Sequence, residues 1–205
     1  MKRMCGAAAI GALIAIASVP APAQTYSGDT NYGSPHEMPT DDVPRPVSRD
    51  SASIAEDLRV KGKCDQAVPI LRRVIDGGGD VKISEFDLGL CLYDLAAATS
   101  DAKAASDMRA EAAKWVLRSA NAGFARAEEK AVSVMLNGEG VAADPVEAQK
   151  WALIYRRNPM RYVIGLPDLS AEVSGKLDAA LTADQRAEAQ SRADSWKQTT
   201  AAAEE

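Results

Sequence analysis

Apolar residues in this chain recur at helical rather than strand spacing. From Cys64, the positions Ala67, Ile70, Leu71, Val74 and Ile75 fall at i, i+3, i+4, i+7 and i+8, one stripe of an amphipathic helix. Pro69 interrupts that stripe, and its missing N–H predicts either a regular helix that starts near Gln66 or one bent at the proline. Gly77-Gly-Gly79 stops the helix, and a second one is predicted over Val81 to Ala97. It carries Ile83, Phe86, Leu90 and Tyr93 on one line, with Leu88, Cys91, Leu92 and Leu95 widening the line around most of the circumference. A helix that is apolar on so many sides packs on more than one side. A short entry helix over Ser51 to Val60, with Ile54 and Leu58 one turn apart, precedes both.

Further along, Thr99 to Asp107 reads as a polar, alanine-rich loop, and Met108 to Asn121 as the next helix, closed by Ala122-Gly123. Phe124 to Leu136 comes after it, with Ala127, Ala131, Val134 and Met135 inward, and Asn137-Gly-Glu-Gly140 ends it with residues that accept left-handed dihedrals. Asp144-Pro-Val-Glu147 starts the partner helix: an N-cap oxygen, a proline at N1 and a capping-box carboxylate at N3. After Tyr155, Pro159 and Pro167 bracket an irregular piece whose Met160, Tyr162, Val163, Ile164 and Leu166 are apolar enough to lie on the preceding helices. A short helix over Ala171 to Leu181 and a longer one from Ala183 to Lys197, opened by the capping box Thr182/Gln185, complete the fold. Leu181, Ala189 and Trp196 are its candidate buried positions, and a frayed tail is expected over 198–205.

One phrase occurs twice, Glu111-Ala-Ala-Lys-Trp115 and Glu147-Ala-Gln-Lys-Trp151, 36 residues apart. A period of 20 to 50 residues marks a repeat array. Together with Ala125-Arg-Ala-Glu128, Leu136-Asn-Gly-Glu-Gly-Val141, Asp144-Pro-Val-Glu-Ala148, Lys150-Trp-Ala152 and Ala120-Asn-Ala-Gly123, the phrase resembles the Sel1-like repeat, a relative of the tetratricopeptide repeat. The resemblance implies an all-α, right-handed α-solenoid of antiparallel helix pairs, with best repeats over about 82–123 and 124–158 and capping segments over 51–76 and 160–197. It also implies a protein-binding adaptor in envelope assembly, regulation or signalling. Leu88-Gly-Leu90 matches the family's Leu-Gly step, but its counterpart Ala131-Val-Ser133 lies 43 residues on. The seven residues in excess of 36 are placed in the 99–107 loop.

Charge and cysteine usage narrow the setting. Lys2 and Arg3, an apolar run from Met4 to about Val19 and the small residues Ala21-Pro-Ala23 read as a cleaved signal peptide over 1–23. The run of about 16 residues is shorter than the roughly 20 a membrane-spanning helix needs, so no stable membrane insertion is expected after cleavage. Residues 24–50, with Pro35, Pro39, Pro44 and Pro46 and no apolar period, read as a flexible linker before one domain over 51–197. Without Lys2 and Arg3, 22 of the 24 basic residues remain against 29 acidic ones, a formal net charge of −7. That balance leaves no basic footprint for nucleic acid. A periplasmic or secreted location makes a Cys64–Cys91 disulfide the natural expectation. An antiparallel hairpin turning at the triple glycine places both cysteines roughly 20 Å from the turn, level with each other. The alternative is a pair of buried thiols.

Catalytic chemistry finds little support. The one histidine, His36, lies in the linker, which removes histidine-based triads and histidine metal clusters from the domain. Ser100-Asp-Ala-Lys103 has the Ser-x-x-Lys form of penicillin-recognising enzymes, without the motifs that accompany it. A peptidoglycan-associated or β-lactam-recognising envelope protein is therefore the second reading, behind a non-catalytic adaptor with no cofactor. Glu128 and Glu129 read as solvated helix face, and Trp115 and Trp151 as packing residues. Tyr155, Arg156, Arg157, Arg161 and Tyr162 form the candidate protein-binding group, basic and aromatic on an acidic chain. Its plainer reading is cations complementing a helix C-terminus. At the other end of the same helix, Asp144→Ala is expected to cost about 1 kcal/mol through loss of the N-cap, read from the denaturant midpoint.

Overall fold

A computed structural model of the chain describes residues 49–199, and among these the secondary structure is helical, with no strand. The expected signal peptide, the linker up to 48 and residues 200–205 lie outside the described residues. In chain order the helices are α1 Arg49–Val60, α2 Cys64–Asp76, α3 Lys82–Ala98, α4 Ala102–Asn121, α5 Ala125–Asn137 and α6 Pro145–Arg157, then α7 Pro159–Val163, α8 Ala171–Ala180 and α9 Ala183–Ser195. From α1 to α6 each helix packs on its successor in the chain, and α9 then packs on α6. No helix of the described residues is long and apolar enough to cross a membrane.

The expected wide apolar face of α3 is put to use on two sides. Leu88, Cys91 and Leu92 join Ala55, Ala67, Leu71 and Ile75 of α1 and α2 in one core. Phe86 joins Val116, Ala131, Val134, Trp151 and Tyr155 in a second core spanning α3 to α9. Polar positions on α3 are buried as well, and the neighbouring helices neutralise them. Asp87 pairs with Arg59 of α1 at 2.7 Å, and Glu85 with Arg118 of α4 at 2.8 Å. Gly89 faces α4 closely: a Cβ there would meet Val116 Cγ2 at 2.7 Å and the Ala112 carbonyl oxygen at 3.0 Å. Contacts this short leave no room for a methyl group.

The stretch expected to be a loop over 99–107 is mostly helix. Asp101 caps α4 by accepting hydrogen bonds from the backbone N–H groups of Lys103 and Ala104, at 2.9 and 3.0 Å. Lys103 and Asp107 pair one turn apart at 2.6 Å, and the alanines between favour the helix. The seven-residue excess reappears as helix length, since α4 has 20 residues and α6 has 13. α2 runs from Cys64 straight through Pro69, which sits on its exposed face.

The turn between α5 and α6 is fixed by contacts with the preceding helices. Tyr93 Oη donates to the Glu139 carbonyl at 2.7 Å, and the Glu139 carboxylate pairs with Lys130 at 2.6 Å. Gly140, at φ +86°, lies so close to α4 that a Cβ would come within 2.1 Å of the Arg109 carbonyl oxygen. Both the left-handed backbone and the contact require glycine. The capping box expected at Asp144 forms by half: Asp144 Oδ1 accepts from the Glu147 N–H at 3.0 Å. Its own N–H already donates to the Met135 carbonyl at 2.8 Å. The Glu147 carboxylate therefore turns to Lys150 and Arg192. At Thr182 and Gln185 both halves of the box are present.

Cys64 opens α2 and Cys91 lies in the body of α3; the two form a disulfide with Cα atoms 5.0 Å apart. The antiparallel arrangement of α2 and α3 about Gly77-Gly-Gly79 puts them level, as the spacing predicts. Reducing this bridge, or the paired change Cys64→Ser/Cys91→Ser, is expected to lower unfolding free energy by about 3.5 kcal/mol on the loop-entropy relation. Two thiols that label in denaturant without reductant would contradict the bridge.

Candidate functional site

The polar side chains that sequence reasoning set aside are the ones the fold brings together. Ala125, Glu128 and Val132 fall on one line of α5, and all three are buried. Glu128 is 1% exposed, so the expectation of a solvated carboxylate there is wrong. The i, i+3, i+7 spacing carried that signal, and the charge of the residue obscured it. Asn158 answers it from the junction of two helices, where it ends α6 and caps α7. Its Oδ1 accepts from the Met160 N–H at 2.9 Å, which orients the amide. Nδ2 then donates to both Glu128 carboxylate oxygens at 2.9 Å and lies 3.3 Å from the Gly123 carbonyl.

Around this clasp lies a cleft of about 440 Å³. Lys82 of α3, Glu128 of α5, Ile154 and Arg157 of α6 and Met160 of α7 line it, and Trp196 and Gln198 close it from beyond α9. Burial pushes the Glu128 carboxyl up to about 7, against the pull of the Asn158 hydrogen bond in the other direction. Both cations on the walls are engaged, Lys82 with Asp80 at 3.0 Å and Arg157 with Asp194 at 2.7 Å. The lining side chains include no hydroxyl, thiol or imidazole nucleophile. Among the described residues no three acidic, histidine or cysteine side chains gather where they could hold a metal ion. The carboxyl, the amide and the indole that border the cleft are engaged within the chain, Glu128 with Asn158 and the Trp196 N–H with Asn121.

The five residues of the candidate binding group separate into two kinds. Tyr155 is buried, its phenol donates to the Pro167 carbonyl at 2.5 Å, and burial raises its pKa. Arg161 is also buried, 5% exposed, with Asp168 at 2.6 Å and the rings of Tyr155 and Tyr162 at 5.3 and 4.6 Å from its guanidinium carbon. These two residues hold the segment after α6 in place. Arg156, Arg157 and Tyr162 are exposed.

Where Arg161 points inward, the apolar neighbours expected to cover the helices point outward. Met160, Tyr162, Val163 and Ile164 are 49, 68, 74 and 41% exposed. Arg161 takes the inward position of this five-residue helix, where two rings and the Asp168 carboxylate meet its guanidinium while its Nε has no hydrogen-bond partner. The chain turns back at Gly165, and only Leu166 and Leu169 reach the core. As for Ser100-x-x-Lys103, Lys103 is fully exposed and its ammonium is engaged by Asp107.

Trp151 is buried and Trp115 half-buried, each within a core cluster. Their environments differ: Trp115 Nε1 donates to Glu111 at 3.0 Å, whereas Trp151 Nε1 is buried without a partner. No family model matches the chain, and no curated protein and no solved structure matches it.

Stability should depend on pH through the buried carboxyls. Burial raises Asp87 to about 6 against the opposing Arg59 charge, as it raises Glu128 to about 7. A carboxyl raised on folding holds its proton more tightly in the native state than in the unfolded one. The stability it contributes is complete below the ordinary carboxylate range and is lost as pH rises through the folded value. The denaturation midpoint is therefore expected to fall between pH 5 and pH 8. Glu128→Gln should be more stable than wild type at pH 8, by on the order of 3 kcal/mol, and indistinguishable near pH 4. Parallel pH profiles for the two proteins would refute this account of Glu128.

Proposed function

We propose that this chain is a non-catalytic adaptor of the periplasm or the secreted fraction that holds a protein partner. In this reading the helix pairs form a right-handed α-solenoid of the Sel1-like kind, with α1 and α2 capping one end and the segments after α6 capping the other. Support comes from helices that pack on their sequence neighbours, and from the repeated phrase, which falls on α4 and α6 with a packed tryptophan in each copy. The disulfide suits an oxidising compartment.

The observation that carries the proposal is the row Met160, Tyr162, Val163 and Ile164. Four large apolar side chains stand uncovered on one short segment, beside the exposed Arg156. Exposed apolar side chains with an exposed arginine close by in the chain have the composition of a protein contact, with tyrosine and arginine as anchors. An apolar partner segment flanked by acidic residues is the complement.

Site-specific photo-crosslinking tests this directly. A photoreactive residue in place of Val163, expressed in the native host, should give a discrete adduct with one protein. Tyr162→Asp in the same chain should reduce that adduct at least tenfold while a cooperative melting transition is retained. No adduct, or one indifferent to Tyr162→Asp, would count against the proposed face.

A further inference from the structure

Past α9 the chain runs as extended backbone, with Trp196 at φ −64° and ψ 138°. It lies across the turn that joins α4 to α5. Three groups hold it there. The Trp196 indole N–H donates to Asn121 Oδ1 at 3.3 Å, and its ring meets Trp151 edge-on at 6.1 Å. The Gln198 side-chain amide donates to the Ala122 carbonyl at 2.8 Å. The Thr199 N–H donates to the Asn121 carbonyl at 2.9 Å. The tail expected to fray from residue 198 is thus tied down at both 198 and 199.

Every acceptor in this arrangement belongs to the C-terminal end of α4, where a helix leaves its last carbonyl groups without internal partners. Gly123 keeps the turn open at that point, because a Cβ on it would lie 2.7 Å from Gln198 Cδ. The surface reads donors, and the negative end of the α4 dipole disfavours carboxylates. Next to it, the cleft at Glu128 and Met160 continues the surface beyond the strap.

The strap is also separable from the helix that carries it. Ala189 and Ala193 bury α9, and Arg192 with Glu147 at 3.2 Å and Asp194 with Arg157 at 2.7 Å join it to α6. Lys197, Gln198 and Thr199 are exposed, so little burial opposes their release. Such weakly buried segments open locally while the rest of the fold stays intact.

We infer that Trp196–Thr199 is a built-in ligand, and that the α4–α5 turn beneath it is a docking site for an extended segment of a partner protein. That segment carries an aromatic residue, tryptophan by preference, and an amide side chain two positions later. The inference rests on the reading of the chain as a binding protein, but its hydrogen-bonding surface is the α4–α5 turn, and of the α7 row only Met160 borders the adjoining cleft.

Its test uses the full chain and a fluorescein-labelled peptide, Ala-Asp-Ser-Trp-Lys-Gln-Thr, copied from residues 193–199. Gln198→Ala/Thr199→Pro removes two of the three donors at exposed positions. Fluorescence polarisation should show the peptide binding this variant at least tenfold more tightly than wild type. A peptide with alanine for tryptophan should lose that binding. Equal binding to both proteins, or binding to neither, would overturn the inference. Hydrogen exchange on the wild-type chain provides a measurement that needs no variant. The Thr199 amide should exchange at least a hundredfold faster than the amides of α6, through local opening. Exchange of Thr199 only with global unfolding would show the strap to be a fixed part of the fold. Light scattering should find wild type monomeric, and a dimer abolished by the double change would assign the strap to exchange between copies instead. Because the peptide assay does not involve Val163, its failure leaves the α7 crosslinking result to stand or fall on its own.

Discussion

The close crossing of α3 and α4 sets the positions of everything around it. At Gly89 the two backbones approach closely enough that a Cβ would meet Val116 Cγ2 at 2.7 Å and the Ala112 carbonyl oxygen at 3.0 Å. That approach aligns Glu85 with Arg118 and lets Ser119 Oγ donate to the Lys82 carbonyl at 2.6 Å. It also places α3 between two cores, so that α1 and α2 pack on one side and α5 and α6 are reached from the other. Buried charge is tolerated on α3 because arginines arrive from both flanking helices; a carboxylate left alone there would cost several kcal/mol.

Much of this was legible in the sequence, because helical periodicity reports burial directly. The breadth of the apolar surface on α3, the stop at the triple glycine, the Asp144 and Thr182 caps and the level placement of Cys64 and Cys91 all come from local rules. What escaped depended on competition between neighbours. Thr99 to Asp107 looked like a loop because its composition is polar, yet alanine content and the Asp101 cap suffice for helix once α3 offers a surface. Glu128 looked solvated because it is charged, and its partner lies 30 residues away. Arg161 and the apolar residues beside it exchanged their expected places because ring faces and Asp168 accommodate a guanidinium better than they would a branched aliphatic.

The two copies of the Glu-Ala-x-Lys-Trp phrase show how a neighbour alters the meaning of the same residues. On α4, Glu111 accepts from Trp115 one turn on and pairs with Arg72 of α2 at 2.7 Å, and the pull of that guanidinium holds its carboxyl below the ordinary range. On α6, Glu147 pairs with Lys150 and with Arg192 of α9. Trp151 is left with a buried N–H that no acceptor meets. A missing partner of this kind costs about 1–3 kcal/mol. The copies share a sequence pattern but not a context. Beyond the first, the chain continues into α5 and another helix pair; beyond the second, it runs into a one-turn helix, two more helices and a strap.

Polar compromises occur on both sides of the fold, the burial-raised Asp87 carboxyl beside α1 and the burial-raised Glu128 carboxyl beside α6. α9 covers α6, and on this side lie the unpartnered Trp151 N–H, a carboxyl at Glu128 met by an amide rather than a cation, and the cleft. At the other end, Arg59 reaches Asp87, and the core beneath α1 and α2 is braced by a disulfide. The covalent brace therefore lies on the α1–α2 side of α3, and the cleft on the α5–α6 side.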